Sequence, residues 1–244
     1  MGDCMSLRII LASSSPRRRL LLRQIGLSFE VMPACFDEIV EPKSDPADIV
    51  ESFALQKAEQ IAHKQPESLV IGSDTVVVCR GKILGKPSDP AEAQAMLRSL
   101  SGITHQVYTG VALVRTGPAQ SGTDQDGSAQ SGTNQDGPAQ SGSYTTASFH
   151  HIITRHSFHE RTDVTFGELN DEEIAAYVRS GSPLDKAGSY GIQDDLGALF
   201  VEKINGDYYN VVGFPLFRFY REVNKHMPGA VTPFEFESTS KRHL

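Results

Sequence analysis

A cluster of small and basic residues near the start of the chain has the composition of an anion-binding turn. Residues 12–18 read Ala-Ser-Ser-Ser-Pro-Arg-Arg and directly follow an apolar run. Pro16 suits the first position of a helix, because its missing N–H would have no partner there. The free N–H groups of that first turn, the hydroxyls of Ser13 to Ser15 and the side chains of Arg17 and Arg18 would then face one spot. We expect this turn to bind an anion, and specifically a phosphate.

The second candidate for chemistry is Asp74, which lies in Gly-Ser-Asp-Thr between the apolar runs 68–71 and 76–79. With a strand before it and another after it, the residue is predicted to lie where a sheet edge opens into a cleft. A carboxylate there can orient a water, accept its proton or hold Mg²⁺ near a phosphate. The alternative is an aspartate that only stabilises a turn.

Three further polar residues are candidates for the same site. Lys57 lies on the apolar line of a predicted helix, either with its ammonium at the surface or as a cation pointed into a cleft. Lys86 adds a cation at the rigid turn Gly-Lys-Pro. Gln193, on a glycine-rich loop that also carries Asp185 and Lys186, offers an amide that can read the edge of a base.

Charge and composition exclude several classes of protein. A net charge of −7 and a pI near 5.6 argue against a general nucleic-acid binder, which would have a basic stripe. The nucleotide-binding patterns of P-loop and dinucleotide enzymes and the nucleophile motif of α/β-hydrolases are missing. Three widely spaced cysteines support neither a disulfide framework nor a zinc site. No apolar run is long enough for a membrane span, so we predict a cytoplasmic protein.

Two other features are assigned no function. The first six residues match an N-myristoylation pattern, but a chance match explains it better. Four histidines fall between residues 150 and 159, without the close spacing of a zinc site. A solvated strand face is the better explanation of the histidines.

The elements that must position these residues alternate between strand and helix. We therefore predict an α/β or mixed α+β architecture around one main sheet. Two long strands are expected to pair antiparallel. The predicted strands are 7–11, 29–32, 68–71, 76–79, 82–84, 106–115, 149–166 and 198–204, and the predicted helices are 16–25, 45–64, 89–100, 170–179 and 215–227.

A low-complexity insertion interrupts this pattern at about residues 116–148. It repeats Ala-Gln-Ser-Gly every ten residues and has almost no apolar side chains. Such a segment cannot bury enough surface to offset ordering, so we predict disorder at the tip of a hairpin. The chain is thus predicted to be one domain over residues 1–227 with this interruption, followed by a polar, mobile tail at 228–244.

Taken together, the motifs resemble the Maf family of nucleoside triphosphate pyrophosphatases over about residues 7–226. The resemblance implies an ITPase-like α/β fold, with a long twisted mixed sheet, flanking helices, two lobes and a central cleft. It also implies metal-dependent hydrolysis of a nucleoside triphosphate to monophosphate and pyrophosphate. It rests on Ser-Ser-Ser-Pro-Arg-Arg at 13–18, Lys-Ala at 57–58, Gly-Ser-Asp-Thr-Val at 72–76, Gly-Lys-Pro at 85–87, Tyr-Thr-Gly at 108–110, Thr-Asp-Val-Thr-Phe at 162–166, Asp-Lys-Ala-Gly-Ser-Tyr-Gly-Ile-Gln at 185–193 and Gly-Asp-Tyr-Tyr-Asn-Val-Val-Gly at 206–213.

The resemblance also implies roles for individual residues. Asp74 matches the catalytic acidic residue, taken as the proton acceptor, and with Glu38 would help to hold Mg²⁺ or Mn²⁺. The positions that mark the dTTP/UTP subgroup are matched by Arg17, Thr75 and Gln193. The phosphate-side cations are matched by Arg18, Lys57 and Lys86, beside the hydroxyl of Ser13.

Two alternatives to a dTTP/UTP pyrophosphatase remain open at this point. One is a 7-methyl-GTP pyrophosphatase, and the other is a non-catalytic, nucleotide-binding regulator of cell division, as the family's septum-formation name suggests. The family also suggests a homodimer and the removal of modified pyrimidine nucleotides. The sequence departs from the family pattern at two places. Asp194 and Asp195 replace the usual glycine, and Ser182 replaces a more usual glutamate.

Overall fold

The computed structural model describes residues 7–35, 44–119, 150–193 and 196–231. Several predictions lie outside these ranges: those on the N-terminal pattern, on Glu38, on Asp194 and Asp195, on nearly all of the repeats and on most of the C-terminal tail. Strand structure continues to Ala119, so residues 116–119, at the start of the predicted insertion, belong to a strand.

The observed elements confirm the predicted mixed α/β class, with seven helices and seven strands in the described residues. Two 3₁₀ turns, Ser182–Asp185 and Ala187–Ser189, follow the fourth helix. The helices are α1 Pro16–Gln24, α2 Pro46–Ala62, α3 Pro90–Leu100, α4 Asp171–Arg179, α5 Gly197–Phe200, α6 Tyr208–Val212 and α7 Leu216–His226. The strands are β1 Arg8–Leu11, β2 Glu30–Val31, β3 Ser68–Cys79, β4 Lys82–Leu84, β5 Thr104–Ala119, β6 His150–Phe166 and β7 Val201–Asn205.

One mixed sheet contains all seven strands that the structure describes. Its order is β2-β1-β3-β5-β6-β7, with β4 paired to β3. Strand β1 is parallel to both β2 and β3, whereas the remaining pairs are antiparallel. The predicted antiparallel pairing of the two long strands, β5 and β6, is confirmed.

Alternating side chains cover both faces of the sheet with apolar contacts. Because successive residues of a strand point to opposite faces, neighbouring apolar residues enter different cores. Helix α2 covers one face, and helices α1 and α7 cover the other. The face under α2 contains Ile10, Val70 and Ala112. The opposite face contains Leu11, Ile71 and Leu113, together with Leu21 and Leu22 of α1 and Phe219 and Val223 of α7.

Side-chain caps explain why several helices begin where the sequence predicts. Asp45 accepts a hydrogen bond from the Ala47 amide at 2.8 Å. The capping box of α4, in which Asn170 and Glu173 cap each other's amides, is confirmed. The capping box predicted for α3 is only half formed. The Asp89 side chain accepts from the Glu92 amide, but the Glu92 carboxylate turns back to Ser88.

Two elements near the end of the chain differ from the prediction. Residues 197–200 form α5 rather than the first part of a strand, so β7 begins only at Val201. Helix α6 was not predicted. Its start nevertheless has a signal in the sequence, because the Asp207 carboxylate accepts from the Tyr209 amide at 2.7 Å.

The prediction of a break around Asp74 is also wrong. Strand β3 runs without interruption through Gly72 and Asp74, and both residues pair with β5. Gly72 is needed here for close approach rather than for a turn: a Cβ at this position would lie 2.0 Å from the Ala54 carbonyl oxygen of α2. Gly110 on β5 is similarly close to the Val50 carbonyl. The two glycines let α2 cross the sheet at short distance, beside Asp74.

Candidate active site

A cleft of about 630 Å³ opens above the centre of β3. Its walls are the first turn of α1, the side of α2, the segment after β4, the loop from Asp185 to Gln193 and the end of α6. Every predicted site residue that the structure describes lies along this cleft. These residues are Ser13, Arg17, Arg18, Lys57, Asp74, Thr75, Lys86 and Gln193.

Asp74 and Lys57 form an ion pair on the cleft wall. The Lys57 ammonium donates a hydrogen bond to Asp74 Oδ1 at 2.5 Å, and the two side chains are only 14% and 10% exposed. Asp74 follows Gly72 on the same face of β3, so its carboxylate faces α2. Of the two interpretations of Lys57, the structure therefore favours the cation directed into a cleft.

Arg18 ties together three parts of the cleft wall. Its guanidinium donates to the Ser73 carbonyl at 2.7 Å, to Thr75 Oγ1 at 2.9 Å, to the Gly213 carbonyl at 3.0 Å and to Ser13 Oγ at 3.2 Å. These contacts link α1 to β3 and to the segment before α7. A guanidinium held in this way has a fixed position, which suits it to align Thr75 and the α1 turn as well as to supply charge.

The serines before α1 form the predicted turn, with local partners of their own. The Ser15 hydroxyl accepts from the Arg18 amide, and the Ser13 hydroxyl accepts from the Ser15 amide. Ser14 is exposed and lines the cleft. Helix α1 thus begins at Pro16 with its N-terminus at the cleft, where its dipole favours a negative charge.

An ionic bridge crosses the cleft between α1 and the 3₁₀ turns. Arg17 contacts the Asp185 carboxylate at 3.4 Å, and the Lys186 ammonium donates to the other carboxylate oxygen at 2.6 Å. Partial burial acts to raise the pKa of Asp185, but the hydrogen bond and charge of Lys186 and the charge of Arg17 outweigh it, so the pKa is lowered. The sequence placed Asp185 and Lys186 on a glycine-rich loop without assigning them to the site.

A buried histidine supports the floor of the cleft. His105 is fully buried, and its Nε2 lies 2.9 Å from the hydroxyl of Tyr190, a cleft-lining residue. The His105 ring contacts both Phe166 and Tyr190 edge to face. Burial lowers the pKa of His105 to about 4. Nothing in the sequence around a single histidine in a strand indicates that it supports a cleft.

Acid should weaken the fold through His105. A histidine with a pKa of about 4 when folded and 6.5 when unfolded takes up its proton first in the unfolded state. The contribution of His105 to the free energy of unfolding is therefore fully present above pH 6.5. It decreases by roughly 3 kcal/mol as the pH falls toward 4. In urea unfolding at pH 7 and pH 4.5, the His105→Gln variant should show a smaller pH dependence than the wild type. The exposed His63→Gln variant is the control, and an equal pH dependence in all three proteins would contradict the expectation.

The donor set of the cleft fits a hard divalent cation. Asp74 supplies a carboxylate to the cleft, and the hydroxyl-bearing residues Ser13 and Thr75 also line it. Mg²⁺ prefers oxygen ligands and is commonly held by one or two carboxylates together with substrate phosphates. The second predicted carboxylate, Glu38, lies outside the described residues.

The chain is similar to known proteins over most of its length. A family model described as Maf-like protein matches residues 8–136 and 139–226. A dTTP/UTP pyrophosphatase of Bacillus cereus (strain AH820) is 45% identical over 218 residues, which cover 89% of this chain and 95% of that protein. A dTTP/UTP pyrophosphatase of Bacillus cytotoxicus is 45% identical over 223 residues, with coverages of 91% and 97%.

Among solved structures, the similarity is weaker. A nucleoside-triphosphatase / dITP/XTP pyrophosphatase from Mycobacterium abscessus matches 93% of this chain and 100% of its own, at 11% identity and a TM-score of 0.38. Among the residues that the structure describes, no helix has the length and apolar character needed to cross a membrane.

Proposed function

The chain belongs to the Maf family, and from that premise we propose that it hydrolyses dTTP and UTP to the nucleoside monophosphate and pyrophosphate. The observation that carries the proposal is the Lys57–Asp74 pair, held in a cleft beside the N-terminus of α1. A buried carboxylate, a turn suited to phosphate and several cations meet there. This combination suits the cleavage of a phosphoanhydride bond by water.

Asp74 is the proposed general base. Lys57 occupies Oδ1, so Oδ2 is the atom proposed to accept a proton from the attacking water. The Lys57 ammonium holds the carboxylate in one orientation. When the proton leaves the water, Lys57 also offsets negative charge that develops nearby.

The remaining cations are proposed to bind the triphosphate, which carries about four negative charges. Arg17 and Lys86 line the cleft, and Arg18 is held against β3 by its hydrogen bond to the Ser73 carbonyl. The N-terminal end of the α1 dipole lies at the same end of the cleft and favours negative charge there. Charge that builds on the departing pyrophosphate would be neutralised by groups already in position, which is usually the main catalytic effect.

A divalent cation is part of this proposal. Bound Mg²⁺ or Mn²⁺ would neutralise phosphate charge and polarise the bond to be cleaved. Asp74 is its proposed ligand in the described part of the cleft, with Glu38 as the second.

The pyrimidine preference is proposed to depend on three residues that line one cleft. Thr75 is held by Arg18 and by the Thr109 hydroxyl at 3.0 Å, so its side chain has a defined orientation. Gln193 is exposed on the facing loop, and its amide can both donate to and accept from the edge of a base. Arg17, which also lines the cleft, is the third residue proposed to set the preference.

A substrate panel tests the proposal directly. Pyrophosphate release from dTTP, UTP, dCTP, GTP and 7-methyl-GTP is measured with Mg²⁺ and with Mn²⁺. We expect dTTP and UTP to give the highest kcat/KM. A maximum for 7-methyl-GTP would contradict the base preference, while tight dTTP binding without product would favour the non-catalytic regulator. The cytoplasmic location and the homodimer stay predictions.

A further inference from the structure

A second cluster of chemically reactive side chains lies between β6 and α7. His156 of β6, Glu222 of α7 and His226 of α7 bring three ligand atoms within 4.8 Å of one another. His156 Nε2 lies 2.9 Å from Glu222 Oε2, and His226 Nε2 lies 3.3 Å from the same oxygen. None of the three residues lines the cleft.

The three ligand atoms lie near enough to one another for a small tetrahedral ligand set. Zinc binds histidine nitrogen at about 2.0–2.1 Å and carboxylate oxygen at about 2.0–2.2 Å, so tetrahedral ligand atoms are spaced by roughly 3.4 Å. The 3.3 Å spacing to His226 is close to that value. The 2.9 Å spacing to His156 is shorter, and the two imidazole rings are stacked with centroids 3.7 Å apart, so binding would require the rings to rotate. Two imidazoles and one carboxylate are also a combination that zinc accepts, with a fourth position left for water.

The surroundings of Glu222 favour one oxygen as the ligand atom. The Arg218 guanidinium donates to Glu222 Oε1 at 2.6 Å, so Oε2 is the oxygen directed toward both imidazoles. An outer hydrogen bond of this kind orients a metal-binding carboxylate. The burial of Glu222 also limits its conformational freedom, because its side chain is only 11% exposed.

The cluster forms because of the residue spacing along one helix, α7, and one strand, β6. Arg218, Glu222 and His226 follow one another at intervals of four, so they form a stripe along α7. His156 and Phe158 are two residues apart on β6 and share the face toward α7, where Arg218 also lies over the Phe158 ring. The strand supplies only one histidine of the cluster, and the spacing of the histidines in β6 therefore does not reveal it.

We infer that His156, Glu222 and His226 form a binding site for a divalent transition metal of the zinc class, separate from the cleft. The bound ion would join β6 to α7 across the apolar core that Phe219 and Val223 share with the sheet. Its ligands are three side chains and a solvent molecule, since His226 retains access to solvent at 34% exposure. The inference does not depend on the proposed pyrophosphatase activity.

Metal titration of the full-length protein tests the inference. Protein treated with a chelator and exchanged into metal-free buffer is titrated with Zn²⁺ against a chromophoric competitor, and separately with Co²⁺ while the visible absorption is recorded. We expect one Zn²⁺ site whose affinity falls by at least about tenfold in His226→Gln and in His156→Gln. The exposed His63→Gln is the matched control and should bind as the wild type does.

The cleft is a competing site for the same ions, and Asp74→Asn separates the two. The Co²⁺ absorption should persist in Asp74→Asn and disappear in His226→Gln. Circular dichroism confirms that each variant is folded, and His156→Gln provides an independent readout if His226→Gln is not. Failure of the wild type to bind Zn²⁺, an unchanged affinity in both histidine variants, or loss of the Co²⁺ signal in Asp74→Asn alone would each overturn the inference.

Discussion

Asp74→Asn should lower the turnover of dTTP by at least about 10², because it removes the proposed proton acceptor. Asparagine has nearly the same volume and can still accept a hydrogen bond from Lys57 through its amide oxygen. The contact between α2 and β3 is therefore retained, and the loss should fall on kcat rather than on folding. Pyrophosphate release under saturating dTTP and Mg²⁺ is the measurement.

The matched control for this variant is Asp171→Asn. Asp171 is a carboxylate at the start of α4, with a side chain that is 79% exposed and paired with Arg98. It does not line the cleft. Its replacement should leave kcat within about twofold of the wild type, since surface charges far from a site contribute little. Release of pyrophosphate by Asp74→Asn at the wild-type rate would refute the assignment of Asp74.

Gly72→Ala should have the largest effect on stability, because the new Cβ has no space. It would lie 2.0 Å from the Ala54 carbonyl oxygen and 2.9 Å from the Ala58 amide nitrogen. Both are backbone atoms of α2, so the whole helix must shift rather than a single side chain. Overpacking typically costs about 1–3 kcal/mol, and a clash with backbone belongs at the upper end of that range, so we expect the midpoint of urea unfolding to fall.

The shift of α2 should also affect catalysis, because Lys57 lies on the same helix as Ala54 and Ala58. Any folded Gly72→Ala protein should therefore show reduced kcat in addition to reduced stability. Gly167→Ala is the control, since a Cβ at Gly167 meets no atom within 4 Å. Equal unfolding midpoints for Gly72→Ala and Gly167→Ala would show that α2 does not need this close approach.

Local features of the sequence sufficed to predict much of the fold. Helix starts follow from side chains a few residues away, as Asp45 and the Asn170–Glu173 pair show. The hairpin between β3 and β4 follows from Arg80-Gly81, where both residues have positive φ. Motif order along the chain led to the family, and the observed mixed sheet agrees with it.

Other features depend on contacts between residues far apart in the chain, and only the tertiary structure shows them. Gly72 signals a turn when only its neighbours are considered, but the crossing of α2 makes it a point of close approach within a continuous strand. Lys57 is ambiguous on its own helix until β3 places Asp74 beside it.

The sequence by itself thus determined most of the elements, the family and the predicted site residues that line the cleft, because short-range hydrogen bonding and periodicity are encoded in neighbouring positions. The tertiary structure alone decided which residues far apart in the chain touch. Arg18 meets the Gly213 carbonyl, His105 meets Tyr190, and His156 meets Glu222. Each contact joins separate elements whose relative placement depends on how the sheet and helices bury their apolar faces.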